Sequence, residues 1–329
     1  MVTMPLGEFD LIARYFTRAP KRAVLGVGDD CALLAPLAAG QQLAVSSDML
    51  VEGRHFLSTV APVRLGHKAL AVNLSDLAAC GAAPLAFTLA LSMPHVDERF
   101  LEGFSRGLFA LADAHGIELV GGDTTAGPLN ICITVFGGVP VGRALLRSGA
   151  RAGDDLWVSH PAGAGLGDAR LALEVFRGNV ALPGDAFESV RARMECPTPR
   201  VALGVALRGI ATSAIDLSDG LVGDLGHVLA RSSVGATVNA DALPRSAVLA
   251  SMPRALQYEC ALAGGDDYEL LFTAAASAAL TVAAAADRAG IAVTRIGRIE
   301  ATPGLRVVDG DGAPLVHRFT AFDHFRKAS

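Results

Sequence analysis

Ala69–Ala79, ALAVNLSDLAA, and Ser213–Val222, SAIDLSDGLV, each carry a Leu-Ser-Asp core after an apolar run, one in each half of the chain. The same pattern, an apolar strand-like run that ends in small residues and Asp, recurs four more times: LGVGDD (Leu25–Asp30), AVSSD (Ala44–Asp48), LVGGD (Leu119–Asp123) and LAGGDD (Leu262–Asp267). An Asp at the mouth of a strand directs its carboxylate into shared space, and glycine lets the backbone approach a ligand closely. The echo between the halves is weak support for an internal duplication.

The acids of these motifs favour a magnesium site. If several carboxylates converge, a cation must neutralise their mutual repulsion, and hard oxygen ligands suit Mg²⁺, which shares its remaining positions with water and substrate phosphates. Histidines and thiols are not interleaved with the acids, so zinc or copper fits poorly. A lone Asp after a strand is usually a turn former or a helix N-cap. Six motifs in one chain nevertheless favour metal binding shared by at least three of them.

Composition limits the class of protein. The chain has 329 residues, 51% of them hydrophobic and 19% charged, which predicts two ordinary packed domains. A net charge of −5 without a basic run argues against a nucleic-acid or acidic-membrane partner. The five cysteines show no C-x-x-C spacing and indicate a reducing compartment. The N-terminus does not resemble a signal peptide and no uninterrupted apolar stretch could span a membrane, so we expect a cytoplasmic protein.

Hydrophobic patterning predicts a mixed fold. Strands are predicted at Ala23–Val27, Leu43–Ser46, Asn130–Val139 and Asp155–Ser159, and helices at Pro62–Cys80, from an Asp97 cap to Gly116, and at Ala274–Ala286. The Gly-rich stretch Arg147–Gly153 predicts a boundary between domains 1–146 and 147–329. The turn Gly163–Gly167 has the wrong spacing for a dinucleotide-binding fingerprint. Because the elements do not follow a strict βαβ order, α+β layers are favoured over a doubly wound sheet.

The usual motifs of phosphate and covalent chemistry are missing. The chain has neither a G-x-x-x-x-G-K-[ST] loop nor the motif set of a protein kinase, and its only lysines are Lys21, Lys68 and Lys327. No Ser-His-Asp or Cys-His arrangement supports covalent catalysis. Arg147 is the best candidate for a phosphate contact, with a solvated surface charge as the alternative. His55 is either a substrate contact or a partly buried structural residue.

A family resemblance is carried by nine segments in order. From Gly7 to Phe325 the segments GEFDLIARYF, GVGDDCALL, SSDMLVEGRHF, KALAVNLSDLAACGA, VGGDTT, GRALLRSGA, SAIDLSDGL, GGDDYEL and FDHF resemble the thiamine-monophosphate kinases. The resemblance implies ATP-dependent conversion of thiamine monophosphate to thiamine diphosphate with several Mg²⁺ ions. It also implies a two-domain α+β fold of the aminoimidazole ribonucleotide synthetase type. In that fold the N-terminal domains of a homodimer form an intersubunit β-barrel, so we expect residues 1–146 to bind ATP and magnesium and to dimerise.

The resemblance also implies site residues. Metal-binding positions match Asp30, Ser46, Ser47, Asp48, Asp76, Asp123, Asp216 and Asp219. ATP contacts match Gly122, Asp123, Arg147 and Ser218, and substrate contacts match His55, Asp266 and Phe319. The family pattern often has Glu at the position of Asp266, can have Trp at Phe319, and has Thr in some members at Ser47. No catalytic side chain is expected, because the acceptor phosphate is already an oxyanion and needs no general base.

Two alternative functions stay open. The first is another ATP-using enzyme of the same superfamily, which makes a purine intermediate or selenophosphate. A selenophosphate synthetase would show a reactive N-terminal Cys near a Lys, and the first 20 residues contain neither. The second is a non-catalytic sensor of metal and nucleotide that keeps every ligand. A purely structural protein fits least, because so many acids at strand ends would destabilise it without a ligand.

Overall fold

A computed structural model of the chain describes residues 7–28, 31–315 and 319. The chain divides into two compact units. The first consists of residues 1–77 and 82–142, and the second of residues 78–81 and 143–329. Asp30, one of the predicted metal ligands, lies outside the described residues.

The first unit is a four-stranded sheet with two long helices. Its elements are α1 (Glu8–Leu11), a π-helical turn (Ile12–Phe16), β1 (Gln41–Val51), α2 (Pro62–Cys80), β2 (Ala83–Met93), α3 (Glu98–His115), β3 (Glu118–Ala126) and β4 (Asn130–Pro140). The strand order is β1-β4-β2-β3. β4 pairs antiparallel with β1 and β2, and β2 pairs parallel with β3.

Local signals set the helix ends in this unit. The predicted helix Pro62–Cys80 is confirmed as α2. The predicted Asp97 cap is confirmed, since its carboxylate accepts the N–H groups of Arg99 and Phe100 at the start of α3. Gly116 ends α3 in the left-handed conformation that glycine adopts without steric cost.

Helices α2 and α3 pack so closely that glycine is required at the contact. A Cβ atom on Gly66 would lie 2.0 Å from the Phe104 carbonyl oxygen, and one on Gly107 would lie 1.8 Å from the Val63 carbonyl oxygen. Both distances are far inside van der Waals contact, so a larger residue would force the helices apart.

We expect Gly107→Ala to lower the free energy of unfolding by about 1–3 kcal/mol, because the added methyl group overpacks the α2–α3 contact. Gly226→Ala is the matched control. Gly226 lies in a helix of the second unit with no atom within 4 Å of its ideal Cβ. There alanine should stabilise by up to about 1 kcal/mol. Urea denaturation of both variants measures the difference, and equal effects would contradict the close packing.

The sheet of the first unit has one covered and one open face. On β4, Ile131, Ile133 and Val135 are fully buried, while the residues between them are only partly buried. Val45 and Met49 of the edge strand β1 are 55% and 51% exposed. The open face therefore carries apolar side chains.

The second unit is built on a six-stranded mixed sheet. Its strands are β5 (Asp154–His160), β6 (Ala211–Asp216), β7 (Gly235–Asn239), β8 (Leu270–Ala275), β9 (Ala292–Glu300) and β10 (Gly304–Val308). Its helices are α4 (Asp168–Phe176), α5 (Gly184–Glu195), α6 (Val201–Ala206), α7 (Leu221–Ser232), α8 (Ala247–Ala250), α9 (Arg254–Ala263) and α10 (Ala279–Ala289). The strand order is β10-β7-β9-β5-β8-β6; of these described strand pairs β10–β7 is parallel and the other four are antiparallel. The main core joins side chains of the sheet to α7 and α9.

Several local predictions were wrong. Ala23–Val27 contains isolated bridge residues, Leu25 (paired with Leu33) and Val27, rather than a continuous strand. The predicted helix Ala274–Ala286 begins only at Ala279, because Ala274 and Ala275 finish β8, where pairing with β5 outweighs the helical preference of alanine.

The six acidic motifs are also less uniform than the sequence suggests. VNLSD lies within helix α2 and LAGGDD begins in the last two residues of helix α9, while AVSSD and LVGGD lie inside strands. Of the described motifs, AIDLSD matches the expected strand end, since Asp216 is the last residue of β6. A short apolar run does not by itself distinguish a strand from a buried helix. Among the described residues, no helix is both long and apolar enough to cross a bilayer.

Candidate metal and nucleotide site

Three of the predicted metal ligands in the first unit lie where β1 passes α2. Ser46 Oγ donates to Asp76 Oδ2 at 2.5 Å. The Asp48 backbone N–H donates to Asn73 Oδ1 at 3.0 Å, and Asn73 Nδ2 donates to the Ala69 carbonyl oxygen at 3.0 Å. Because residues three apart share one face of a helix, Asn73 and Asp76 meet β1 together. Asn73 was missed in the sequence, although it stands inside the VNLSD motif.

Ser47 lies on the opposite face of β1 from its two neighbours, since successive strand side chains alternate. Its hydroxyl donates to the Ile133 carbonyl oxygen at 3.2 Å and lies 3.0 Å from Thr134 Oγ1. The structure therefore does not group the Ser47 hydroxyl with Asp76.

Gly122 and Asp123 lie on β3, at the other edge of the sheet. The strand register runs from Asp48 through Ile133 and Leu89 to Gly122. Three strand spacings place Asp48 and Gly122 about 14 Å apart. A Cβ atom on Gly122 would lie 1.8 Å from the Leu89 carbonyl oxygen, so glycine is required there. Asp123 is exposed and lines a shallow, mainly apolar pocket with Ile12, Phe16, Val27, Leu89, Leu119, Gly121, Gly122 and Thr124.

His55 is held in the turn that follows β1. The Val51 backbone N–H donates to His55 Nδ1 at 3.0 Å, so the neutral ring carries its proton on Nε2. Lys68, which is 2% exposed, donates from its ammonium group to the His55 carbonyl oxygen at 3.2 Å. One helix, α2, therefore positions both the metal-ligand candidates and this histidine.

In the second unit the Leu-Ser-Asp segment links β6 to α7. Asp216 is 5% exposed at the end of β6. Gly220 then takes a φ of 108°, which lets the chain turn into α7. One carboxylate oxygen of Asp224, in the first turn of α7, accepts the N–H groups of Ser218 and Asp219, each at 3.1 Å. The helix start thus fixes the backbone that carries two predicted ligands.

Asp224 is 3% exposed, and its environment disfavours the charged form. Burial raises the pKa of Asp224 to about 7, and the nearby Asp219 carboxylate adds to the rise. The folded protein therefore holds this proton more tightly than the unfolded chain. Its contribution to stability is complete below the ordinary pKa of 3.8 and is lost as pH rises through about 7.

We expect Asp224→Asn to gain stability relative to the wild type as pH rises, because asparagine keeps an acceptor oxygen without the charge. Thermal unfolding in EDTA at about pH 5 and about pH 8.5 measures the difference between the two proteins. Asp287→Asn, a change of an exposed acid on α10, is the control and should show no such trend. A pH-independent difference for Asp224→Asn would contradict the raised pKa.

The GGDDYE segment, residues 264–269, runs beside the Leu-Ser-Asp segment. The Asp266 N–H donates to the Ser218 carbonyl oxygen at 2.9 Å, and the Tyr268 N–H donates to the Leu217 carbonyl oxygen at 2.8 Å. A Cβ atom on Gly265 would lie 2.4 Å from the Ser218 carbonyl oxygen, so the close approach needs glycine. The structure therefore joins the Asp216–Asp219 stretch to the predicted substrate contact Asp266.

The last two predicted site residues also lie in the second unit. Arg147 is exposed and follows Leu146, whose carbonyl oxygen accepts the Ala214 N–H of β6 at 2.8 Å. Arg147 thus stands beside the strand that ends in Asp216. Phe319 is partly buried and packs against the main core of the unit.

The donors present are those that Mg²⁺ prefers. Hydroxyl and carboxylate oxygens of Ser46 and Asp76 already lie together, with Asp48 on the same face of β1. Among the described residues, no group of three or more His, Cys, Asp and Glu side chains could hold a metal ion. Mg²⁺ commonly uses one or two carboxylates and completes its shell with water and substrate phosphates, so the residues fit this ion.

Sequence comparisons agree on one family. Residues 28–139 match the model of the N-terminal domain of AIR synthase related proteins, and residues 151–310 match that of the C-terminal domain. The thiamine-monophosphate kinase of Salmonella typhimurium is 46% identical over 327 residues, which cover 98% of this chain and 99% of that protein.

Solved structures show the same relationship. The crystal structure of thiamine-monophosphate kinase from Stenotrophomonas maltophilia is 47% identical with a TM-score of 0.82, and the match covers 93% of this chain and 95% of that chain. The structure of AaThiL complexed with AMPPCP and TMP is 28% identical with a TM-score of 0.74, and the match covers 99% of this chain and all of that one, 100%.

Proposed function

The chain belongs to the thiamine-monophosphate kinase family, and from that premise we propose that it uses Mg²⁺ to transfer the terminal phosphate of ATP to thiamine monophosphate, which gives thiamine diphosphate. One observation supports this assignment most directly. A relative of the same two-domain fold, matched over 99% of this chain, is complexed with AMPPCP and TMP. This evidence favours the kinase over the other ATP-using enzymes of the superfamily and over a non-catalytic sensor.

Two groups of oxygen ligands would hold magnesium. We assign Ser46, Asp48 and Asp76 to a group at β1 and α2, and Asp216 and Asp219 to a group at the end of β6. Asp30, Ser47 and Asp123 complete the proposed set. The bound ion would neutralise charge on the phosphates, which the chain's three lysines could do only in part.

We propose Gly122, Asp123, Arg147 and Ser218 as the ATP contacts. The tight backbone at Gly122 and the adjoining apolar pocket support an ATP contact at Gly122 and Asp123. In the second unit, Ser218 stands beside the proposed metal ligand Asp219, and the exposed Arg147 guanidinium can donate to phosphate oxygens.

Thiamine monophosphate would contact His55, Asp266 and Phe319. We assign His55 to the acceptor phosphate, and the hydrogen bond from the Val51 N–H to its Nδ1 holds the ring in place. The Asp266 carboxylate would repel that phosphate, so we assign it to the positive thiazolium ring or the pyrimidine amino group. Phe319 would supply an apolar surface for a ring.

The residues support a direct transfer. An oxygen of the acceptor phosphate, already ionised near neutral pH, attacks the terminal phosphorus of ATP while the bond to the bridging oxygen of ADP breaks. The protein positions the two polyanions and withdraws no proton, so neither a general base nor a phosphorylated enzyme is expected.

We also propose a homodimer in which two first-unit sheets form a shared barrel. The open face of the sheet exposes Val45 and Met49, which a second copy would cover. Sedimentation should give a mass of twice 33.8 kDa. A monomer at all concentrations would contradict the barrel. The cytoplasmic location stays a prediction.

The decisive experiment incubates the purified protein with ATP, Mg²⁺ and thiamine monophosphate and separates the products by chromatography. Parallel reactions contain EDTA, or free thiamine in place of the monophosphate. We expect thiamine diphosphate only from the monophosphate and only with metal. ATP consumption with another acceptor would indicate that the protein has the activity of another enzyme of the superfamily. Tight Mg-ATP binding without turnover would indicate a sensor.

A further inference from the structure

Two residues of the GGDDYE segment have unusual backbone angles. Among the described residues, the non-glycine residues with positive φ are Ser233, Asp266 and Tyr268, at 56°, 67° and 50°. Ser233 ends helix α7, where this conformation is common. Asp266 and Tyr268 are two residues apart in a loop, and such strain persists only where the surrounding structure imposes it. Strained residues of this kind cluster at functional sites.

The residues that alternate with this pair are buried anchors. Asp267 is 5% exposed, and its Oδ1 accepts the Gly167 N–H at 2.9 Å. Glu269 is fully buried and is bound by Arg200 Nε at 2.6 Å and by Arg193 at 2.9 Å. These bonds fix the backbone on both sides of Tyr268.

The Tyr268 side chain reaches back along the segment. It is 8% exposed, and its hydroxyl donates to Asp266 Oδ1 at 3.1 Å. A buried ring held by the anchors is a rigid support, and its hydrogen bond restricts the rotamers that the Asp266 side chain can adopt. The hydroxyl therefore selects one orientation of the Asp266 carboxylate.

We infer that Tyr268 is a positioning residue for the thiamine part of the acceptor, acting through the carboxylate of Asp266. This inference rests on the proposed function, in which Asp266 contacts the cationic or amino-bearing part of thiamine monophosphate. A carboxylate held in one orientation loses less conformational entropy when the acceptor binds. Tyr268 thus contributes to acceptor affinity without touching the phosphates.

The test is a double-mutant cycle with Tyr268→Phe, Asp266→Asn and the double variant. The KM values for thiamine monophosphate and for ATP, kcat and the thermal midpoint are measured for each protein. Tyr268→Phe should raise the KM for thiamine monophosphate by about fivefold to tenfold, the effect of losing one hydrogen bond of ordinary net strength. The KM for ATP should change less than about twofold, the scatter expected without a lost interaction. If Tyr268 acts through Asp266, the double variant should be no worse than Asp266→Asn alone.

Tyr258→Phe is the matched control. Its hydroxyl donates to Asp241 Oδ1 at 2.8 Å, so the variant loses the same type of bond outside the GGDDYE segment. It should leave both KM values unchanged. Additive effects in the cycle, or a Tyr268→Phe variant indistinguishable from Tyr258→Phe, would overturn the inference while the kinase assignment stands. A wild-type protein that forms no thiamine diphosphate would refute the proposed function, and the inference would fall with it.

Discussion

Replacing Arg200 by methionine is expected to lower the free energy of unfolding by about 3–5 kcal/mol, the range for breaking a buried ion pair from one side. The side chains of Arg200 and Glu269 are 2% and 0% exposed. The Glu269 carboxylate also accepts hydrogen bonds from Ser159 Oγ at 2.6 Å and from the Arg193 guanidinium at 2.9 Å. Removal of Arg200 leaves the buried carboxylate with one guanidinium and one hydroxyl as partners. These do not fully replace the water that a carboxylate loses when it is buried.

Arg14→Met is the control for this prediction. Arg14 pairs with Glu98 at 2.7 Å, but the two side chains are 57% and 51% exposed. Water screens such a pair, so its loss should cost at most about 1 kcal/mol. Urea denaturation of both variants gives the two free energies. Similar values for the two would show that Arg193 alone compensates Glu269.

Asp123→Asn and Asp219→Asn should each reduce kcat by about 100-fold or more, because even the loss of an outer partner of a metal ligand costs 10–100-fold. Each change removes a proposed magnesium ligand and no core contact. Asp219→Asn also removes a charge that raises the pKa of Asp224, so the metal-free variant should not be less stable than the wild type.

The measurement for these variants combines turnover with Mg²⁺ binding by calorimetry in the presence of a non-hydrolysable ATP analogue. Asp287→Asn is again the matched control and should keep native turnover. A near-native kcat in both test variants would contradict their assignment as magnesium ligands and would indicate that these acids are ordinary turn formers. Weakened Mg²⁺ binding with native thermal midpoints would support their assignment as ligands.

Part of the fold was predictable because its signals are local. The Asp97 cap, the Gly116 end of α3 and the full extent of α2 follow from a few adjacent residues, and all three are confirmed. The motif VNLSD predicts Asp76 as a metal ligand, and that assignment stays a prediction, but the motif was wrong as a strand end. The apolar residues around VNLSD recur with the helical period of α2. An Asp in such a motif therefore indicates possible chemistry better than it indicates backbone conformation.

The candidate site was predictable as a set of residues but not as an arrangement. The family resemblance predicts Ser46, Asp48 and Asp76 as metal ligands, yet the sequence does not show that Asn73 holds the Asp48 backbone. It also places Ser47 with Ser46, whereas strand alternation turns the two hydroxyls to opposite faces.

By itself, the sequence determined the family and which acidic residues are candidate ligands. Both can be recognised from short motifs, because the residue types in a motif are visible without knowledge of the fold. Only the tertiary structure decided which buried charges are satisfied and which backbone is strained. Arg200 and Glu269 are 69 residues apart in sequence, and no periodic pattern links them. Local sequence also does not predict the positive φ of Tyr268. That conformation is held by the bonds of its neighbours Asp267 and Glu269 to residues distant in sequence. Burial and contact between distant residues are properties of the packed chain, and local sequence carries no direct signal of them.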